Sequence, residues 1–248
     1  MKIASWRCRC CLSVGKVVVL SKKIETMKRI IPFLMLALSG FFQAEGQTVV
    51  KLKESNVGMF THAANNPKYS WQDGQLVVVS GGKTDFFNSP DGAEPVASAP
   101  LLLKELDNSR PFTFTVAVEP SFTQTYDAGA VYLFHDRMLW QKMAYEMDER
   151  GNKRIVTVRT VNTSDDNNHD VVLRERVYMK ISSDTKNVGF YYSLDGKEWQ
   201  LVRLYRNEYP AKIYIGISSQ SPLGNGISAR FSHFDFSESA IENFRMGL

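Results

Sequence analysis

An antiparallel β-sandwich or jelly roll is the fold class that this 248-residue sequence predicts. Three observations predict it. Short runs rich in Val, Ile, Thr, Phe and Tyr recur at spacings of about ten to twenty residues. Clusters of Asp, Asn, Gly and Ser separate them and read as turns. No long helical period stands between the runs, which excludes a βαβ chain and leaves two packed sheets.

The elements follow in order. Residues 1–26 ("MKIASWRCRCCLSVGKVVVLSKKIET") make no sense ahead of the signal that follows, so Met27 is expected to be the true start and 1–26 a mis-assigned extension; a short cytoplasmic tail on an uncleaved anchor is the alternative. Residues 27–46 then read as a signal peptide. Lys28 and Arg29 open it, an apolar run of about 13 residues reaches Phe42, and Ala44 and Gly46 precede a cut before Gln47. That run is short for a membrane span, so no stable insertion is expected after cleavage. The expected destination is the periplasm or the medium. Residues 47–248 are expected to form one domain.

Charge and cysteine content narrow the function. The net charge of +4 comes from the front, where residues 1–46 hold eight Lys/Arg against two Asp/Glu. The remaining chain is about neutral, and a nucleic-acid partner is not expected. Cys8, Cys10 and Cys11 all precede the signal segment, so the mature chain would fold without disulfides.

Ten strands are expected within 47–248. "QLVVVS" (75–80), "FTFTVAVE" (112–119), "AGAVYLF" (128–134), "WQKMAYEM" (140–147) and "RIVTVRTV" (154–161) come first. "VYMKIS" (177–182), "VGFYYSL" (188–194), "QLVRLYR" (200–206), "KIYIGIS" (212–218) and "SARFSHFDF" (228–236) complete them. "PLLLKEL" (100–106) fits a helical turn or another strand, and the last ten residues suit one short helix. Alternation places Phe112, Phe114, Val116 and Val118 on one face. It places Phe231 and His233 opposite Ser232, Phe234 and Phe236. In "RMLWQKMAYEMD" (137–148), Trp140, Lys142, Ala144 and Glu146 share a face opposite Gln141, Met143, Tyr145 and Met147.

Chemistry-bearing motifs are few. "YEMDERGN" (145–152) resembles the opening of the E-x-D-x-x-E strand of laminarinase-type glycosidases, but the third carboxylate is absent, and Asp148 to Gly151 read as a hairpin turn. "YSLDGKEW" (192–199) resembles a shortened Asp-box hairpin. The four histidines are scattered, and neither a nucleophile elbow nor a phosphate-binding loop is present. "NTSDDNNHD" (162–170) reads as a solvated loop, with a Ca²⁺ site on its oxygen ligands as the lesser alternative; no cofactor is expected.

Five motifs in order carry a resemblance to one family. They are "TDFF" (84–87), "YDAGAVYLFHDRMLWQKMAYE" (126–146), "TVNTSDD" (160–166), "YYSLDGKEWQLVR" (191–203) and "SQSPLGNGISARFSHF" (219–234). The chain thereby resembles the domain of unknown function 1349 family, also called regulation of enolase protein 1. It departs where Ala128 follows Asp127 directly and where Phe87 and Asp166 replace common tryptophans. The resemblance implies a two-sheet antiparallel jelly-roll sandwich, concanavalin A-like, whose concave face holds carbohydrate in many relatives. Trp140, Lys142 and Glu146 occupy the family's Trp-x-Lys-x-x-x-Glu positions. The expected carbohydrate site therefore has Trp140 stacking on a pyranose, Lys142 and Glu146 bonding hydroxyls, and Asp85, Asp127 and Thr160 contributing from adjacent strands. Two alternatives stay open: a glycan-active enzyme using Glu146 as general acid or base, and a protein-interaction or regulatory module.

Overall fold

The computed structural model describes residues 49–53 and 57–248. The expected extension and signal segment lie outside the described residues.

The described chain is built from strands. Four short ones come first: β1 (Val50–Lys51), β2 (His62–Ala64), β3 (Lys68–Gln72) and β4 (Gln75–Val79). A small ribbon follows, β5 (Phe86–Phe87) with β6 (Val96–Ala97). The long strands β7 (Leu101–Asp107), β8 (Phe112–Pro120), β9 (Ala128–Asp136), β10 (Leu139–Met147), β11 (Lys153–Val161) and β12 (Thr163–Val171) come next. The last five are β13 (Val177–Ser183), β14 (Asn187–Ser193), β15 (Gln200–Arg206), β16 (Lys212–Gln220) and β17 (Ser228–Ser237).

Two sheets result, as expected for a jelly-roll sandwich. One has the order β1-β2-β7-β16-β9-β10-β11-β12 and the other β15-β14-β13-β8-β17-β4-β3, with every pairing antiparallel. All ten expected strands are present. Residues 100–106 take the strand alternative, as β7. The expected C-terminal helix is not formed, and residues 240–248 make turns.

The core lies between the sheets. Phe112, Phe114, Val116 and Val118 of β8 meet Val131, Leu133, Met143, Tyr145, Ile155, Ile215 and Ile217 there. Alternation with period two explains why these residues share that layer. It fails in β17, where pairing with β8 shifts between Ser232 and Asp235 and His233 adopts φ 53°. The bulge turns the strand over, so Phe231 on one side of it and Phe234 and Phe236 on the other all reach the same core.

The eight-stranded sheet also carries apolar residues on its other face. Leu101, Leu103, Ala128, Ala130, Tyr132, Phe134, Trp140, Ala144, Val156 and Val158 form a second cluster with Phe86 and Ala99. The β5–β6 ribbon and its flanks cover part of this face. Phe86 makes edge contacts with Tyr132, Phe134 and Trp140 at centroid distances of 5.7 to 5.9 Å. Where that cover stops, a pocket begins.

Candidate functional site

Strand β10 carries the outward row Trp140, Lys142, Ala144 and Glu146, and the structure divides it. Trp140 has 0% exposure, wedged under Phe86 and beside Tyr132, with its indole Nε1–H donating to the Arg137 carbonyl at 3.2 Å. The expectation that Trp140 stacks on a sugar is therefore corrected: the ribbon's Phe86 covers the ring, and the turn between β9 and β10 takes its donor. Lys142 and Glu146 lie beyond the cover and line a pocket of about 270 Å³. Asp85, Phe87, Tyr126, Glu149, Asp166 and Gln220 also line it, with Val156, Val158 and Asn168.

Register explains which side chains converge. Lys142 pairs with Val158, which pairs with Asp166, so one ladder rung presents a cation, an apolar floor and a carboxylate. The next rung outward sets Ala144, Val156 and Asn168 in line. Ala144 and the two valines make the floor shallow and apolar. The polar groups stand around it.

Lys142 is fully engaged. Its Nζ donates to Asp85 Oδ1 at 2.8 Å, the Phe86 carbonyl at 3.0 Å and Gln220 Oε1 at 3.2 Å. An ammonium has three protons, and all three are spent inside the protein. The expectation that Lys142 bonds a ligand hydroxyl is corrected accordingly. It pins Asp85, and with it the start of the β5 ribbon, to the sheet. Asp85 lines the pocket, and its Oδ1 also accepts from the Phe86 amide at 2.7 Å.

Glu146 is the opposite case. It is 7% exposed, and no donor among the described residues bonds its carboxylate. Burial pushes its carboxyl up to about 8; Lys142 draws it down, while Asp85, Asp166 and Glu149 raise it. Asp166, at the exposed rim, is also held above the usual carboxylate range, first by desolvation, although Lys142 lowers it. The pocket thus brings one neutralised cation to several carboxyl groups.

Asp127 and Thr160 do not reach the pocket, because both are buried within the fold. Asp127 closes a turn: its Oδ2 accepts from the Thr123 amide at 2.9 Å, Thr123 Oγ1 at 2.7 Å and the Gln124 amide at 2.7 Å. Its Oδ1 accepts from Ser221 Oγ at 2.6 Å. Gly224 packs against this pair, where a Cβ would stand 2.4 Å from Ser221 Oγ. Asp127 therefore fixes the loop that carries Tyr126. Thr160 bonds Ser164 Oγ at 2.8 Å, and that oxygen accepts from the Asn88 amide at 2.9 Å, which anchors the chain just after β5. Both residues support the walls of the pocket without touching its contents.

Tyr126, Phe87, Asp166 and Asn168 were not expected at the site. Asp166 and Asn168 fall in the segment 162–170, read as a loop and found mostly in β12, an edge strand where polar side chains stay solvated. Asn162, at φ 64°, makes the turn into it. The segment on which the calcium alternative stood is thus a strand and not a loop. Among the described residues no group of three or more His, Asp or Glu side chains is arranged to hold a metal ion. Tyr126 is 37% exposed and has φ 67°. A bulky residue in the left-handed region is an outlier, and such outliers gather at functional sites.

Fold and site together define a jelly-roll sandwich protein with a small acidic pocket on the outward face of one sheet. Its family follows from the sequence: residues 64–239 match the model of the family described as protein of unknown function (DUF1349), and the chain belongs to that family. Among solved structures it is similar to a functionally unknown protein from Saccharomyces cerevisiae, at 22% identity and a TM-score of 0.67, covering 74% of this chain and 98% of that one. It is also similar to a bifunctional GH43-CE protein of Bacteroides eggerthii, at 19% identity and a TM-score of 0.60, covering 77% of this chain and 25% of that one. A third is xylan beta-1,4-xylosidase from Bacillus halodurans C-125, at 13% identity and a TM-score of 0.52, covering 77% of this chain and 42% of that one. This chain thus spans less than half the length of either of the last two. These likenesses establish the fold, which proteins of carbohydrate metabolism share. No curated protein matches the sequence.

Proposed function

We propose that the pocket binds a saccharide, taking one sugar residue or a chain end between Glu146, Asp166 and the ring of Tyr126. The observation that carries the reading is Glu146: a residue only 7% exposed, bonded by no donor among the described residues, whose carboxyl lines a cavity with aromatic and polar side chains. An acceptor so nearly cut off from water is costly to leave unpaired, and a ligand hydroxyl would satisfy it. Tyr126 and Phe87 supply the aromatic surface that Trp140 cannot, and Asn168 adds an amide that can both donate and accept. At about 270 Å³ the cavity falls just below the usual ligand pockets, which run from ~300 to 1,000 Å³, and suits one sugar residue and not a longer chain. The similarity in fold to a protein named for xylan chemistry supports the same class of ligand.

One observation favours a second reading, a glycan-active enzyme. A carboxyl pushed up to about 8 holds its proton at neutral pH and is suited to act as a general acid, with Asp166 as the nearby second carboxyl. Calorimetry against neutral and charged oligosaccharides, followed by chromatography of the same mixtures, separates the two. Binding with no released sugar supports the binding module. Sugar released by the parent and not by Glu146→Gln supports the enzyme. If no saccharide is bound, both readings fail.

Export is proposed with it, on the strength of the 27–46 segment. N-terminal sequencing of the protein from its native host is expected to begin at Gln47; an intact Met27 end would overturn this.

A further inference from the structure

We infer that the sugar taken by this pocket carries an unsubstituted amine, and that uronic-acid and sulfated glycans are refused. The inference rests on the reading of the pocket as a saccharide site, and it follows from which groups the protein has already matched to one another.

Lys142 is the cation in the lining, and it is cancelled. Asp85 takes its charge at 2.8 Å, while Phe86 and Gln220 take its remaining protons. An anionic ligand would find neither a free positive charge nor a free ammonium proton there. Glu149 lies at the exposed margin, and Arg150 Nη1 meets it at 2.7 Å. Two lining carboxyls, Glu146 and Asp166, make no ion pair within the described chain, and Lys142 acts on them only at a distance. Glu146 is the more telling, being nine-tenths buried and unpartnered.

A neutral sugar would bond these acceptors but would also strip water from them, leaving desolvated negative charge or a carboxyl forced to stay protonated. A carboxylate or sulfate would add like charge at close range. An ammonium on the sugar resolves both problems. It supplies the missing charge and up to three donors, so that each bond to a carboxylate joins two opposite charges, which a hydroxyl's bond does not. The raised Glu146 carboxyl agrees with this, since it is the signature of a buried acid whose countercharge has not arrived. The floor of Val156 and Val158 and the ring of Tyr126 remain to hold the apolar face of the sugar.

The test is calorimetric titration of the purified protein with three oligomers of equal length, at pH 6.5 and fixed ionic strength: glucosamine, N-acetylglucosamine and galacturonic acid. The glucosamine oligomer is expected to bind at least tenfold tighter than its acetylated counterpart, and the galacturonate to give no heat of binding. Glu146→Gln and Asp166→Asn are each expected to weaken glucosamine binding at least fivefold, with unchanged circular dichroism. Asp166 lies on the exposed rim, so its variant reports on the site even if the Glu146 variant folds poorly. Glu198→Gln, on another part of the surface, is expected to leave affinity unchanged. Acetylated or acidic oligomers binding as well as the free amine would overturn the inference and leave the saccharide site standing. Equal affinity of parent, Glu146 and Asp166 variants for glucosamine would overturn it as diffuse charge attraction. Failure of all three oligomers, together with neutral ones, would remove the saccharide site itself.

Discussion

Trp140 and Glu146 sit six residues apart on one strand, face the same way and meet opposite fates. Around Trp140 the sheet face is closed: Phe86, Tyr132 and Phe134 pack it on the protein side of a short ribbon. Around Glu146 the same face is open, and the residues that surround it are acids, an amide and a half-exposed tyrosine. Between them, Lys142 fastens the ribbon's edge through Asp85. A sheet face is therefore not one environment. The end of the ribbon decides which outward side chains act as core and which stay available to a ligand.

The sharpest way to break this comparison is Trp140→Ala. In the closed half it removes a fully buried indole, and a loss of about 4 kcal/mol in urea unfolding is expected. The folded fraction should still bind its ligand within about twofold of the parent. Binding lost at undiminished stability would place Trp140 in the open half instead.

Lys142→Met tests the boundary. It leaves Asp85 without its cation and the Phe86 carbonyl and Gln220 without their donor, and a loss of about 3 kcal/mol is expected. The figure is at the low end for a broken buried pair, because Asp85 keeps some contact with water. Asp85→Asn with Lys142→Met should recover part of that loss. If the double variant is no better than the single one, the clasp contributes nothing as a charge pair.

In the open half the sign reverses. Glu146 keeps a proton in the folded chain that the unfolded chain sheds, so its folded carboxyl lies near 8 against an ordinary 4.5. The unfolded state then binds fewer protons across that interval, and stability falls as pH rises from about 4.5 to about 8. Glu146→Gln removes this penalty. The variant should match the parent near pH 4 and exceed it by about 2 kcal/mol above pH 8, a figure discounted for water in the pocket. A flat difference between the two across that range would mean that the carboxyl is well solvated, and the account of the open half would fail. A gain in stability at the cost of binding is the usual mark of a site that folding alone would not have chosen.

Much of this layout was legible in the sequence, and the failures have physical causes. Alternation in β8 and β10 put Phe112, Phe114, Val116, Val118, Met143 and Tyr145 on the faces that meet between the sheets, because period two is fixed by the backbone. It also grouped Lys142 with Glu146. What alternation cannot reveal is cover. Whether Trp140 meets water depends on a ribbon some fifty residues earlier in the chain, and "TDFF" alone gives no sign that Phe86 folds down onto the indole. Asp166 and Asn168 escaped for a different reason. Their segment has the composition of a loop, and it is a strand because β11 offers it an edge and solvent can keep its polar groups. A register argument across the single Asn162 turn would have placed Ser164, Asp166 and Asn168 on one face, beside Lys142. Asp127 had the right neighbourhood and the wrong role, since an Asp that closes a turn and one that greets a ligand look alike in sequence.

The smallest expected effect is the most discriminating, because it asks the open half to show strain. Tyr126 holds φ 67°, a conformation that costs a bulky residue about 1 kcal/mol and glycine almost nothing. Its amide is bonded to the Met147 carbonyl at 2.7 Å, so the neighbouring strand holds the backbone in place. Tyr126→Gly should therefore lose little stability, with relief of strain offsetting the flexibility that glycine adds to the unfolded chain; a net change within about 0.5 kcal/mol is expected. Tyr126→Ala, which loses the ring and keeps the strained backbone, should be the less stable of the two. Both should bind saccharide at least fivefold more weakly than the parent. If both bind as the parent does, the strained tyrosine serves the fold alone, and the aromatic wall of the pocket has to be assigned to Phe87.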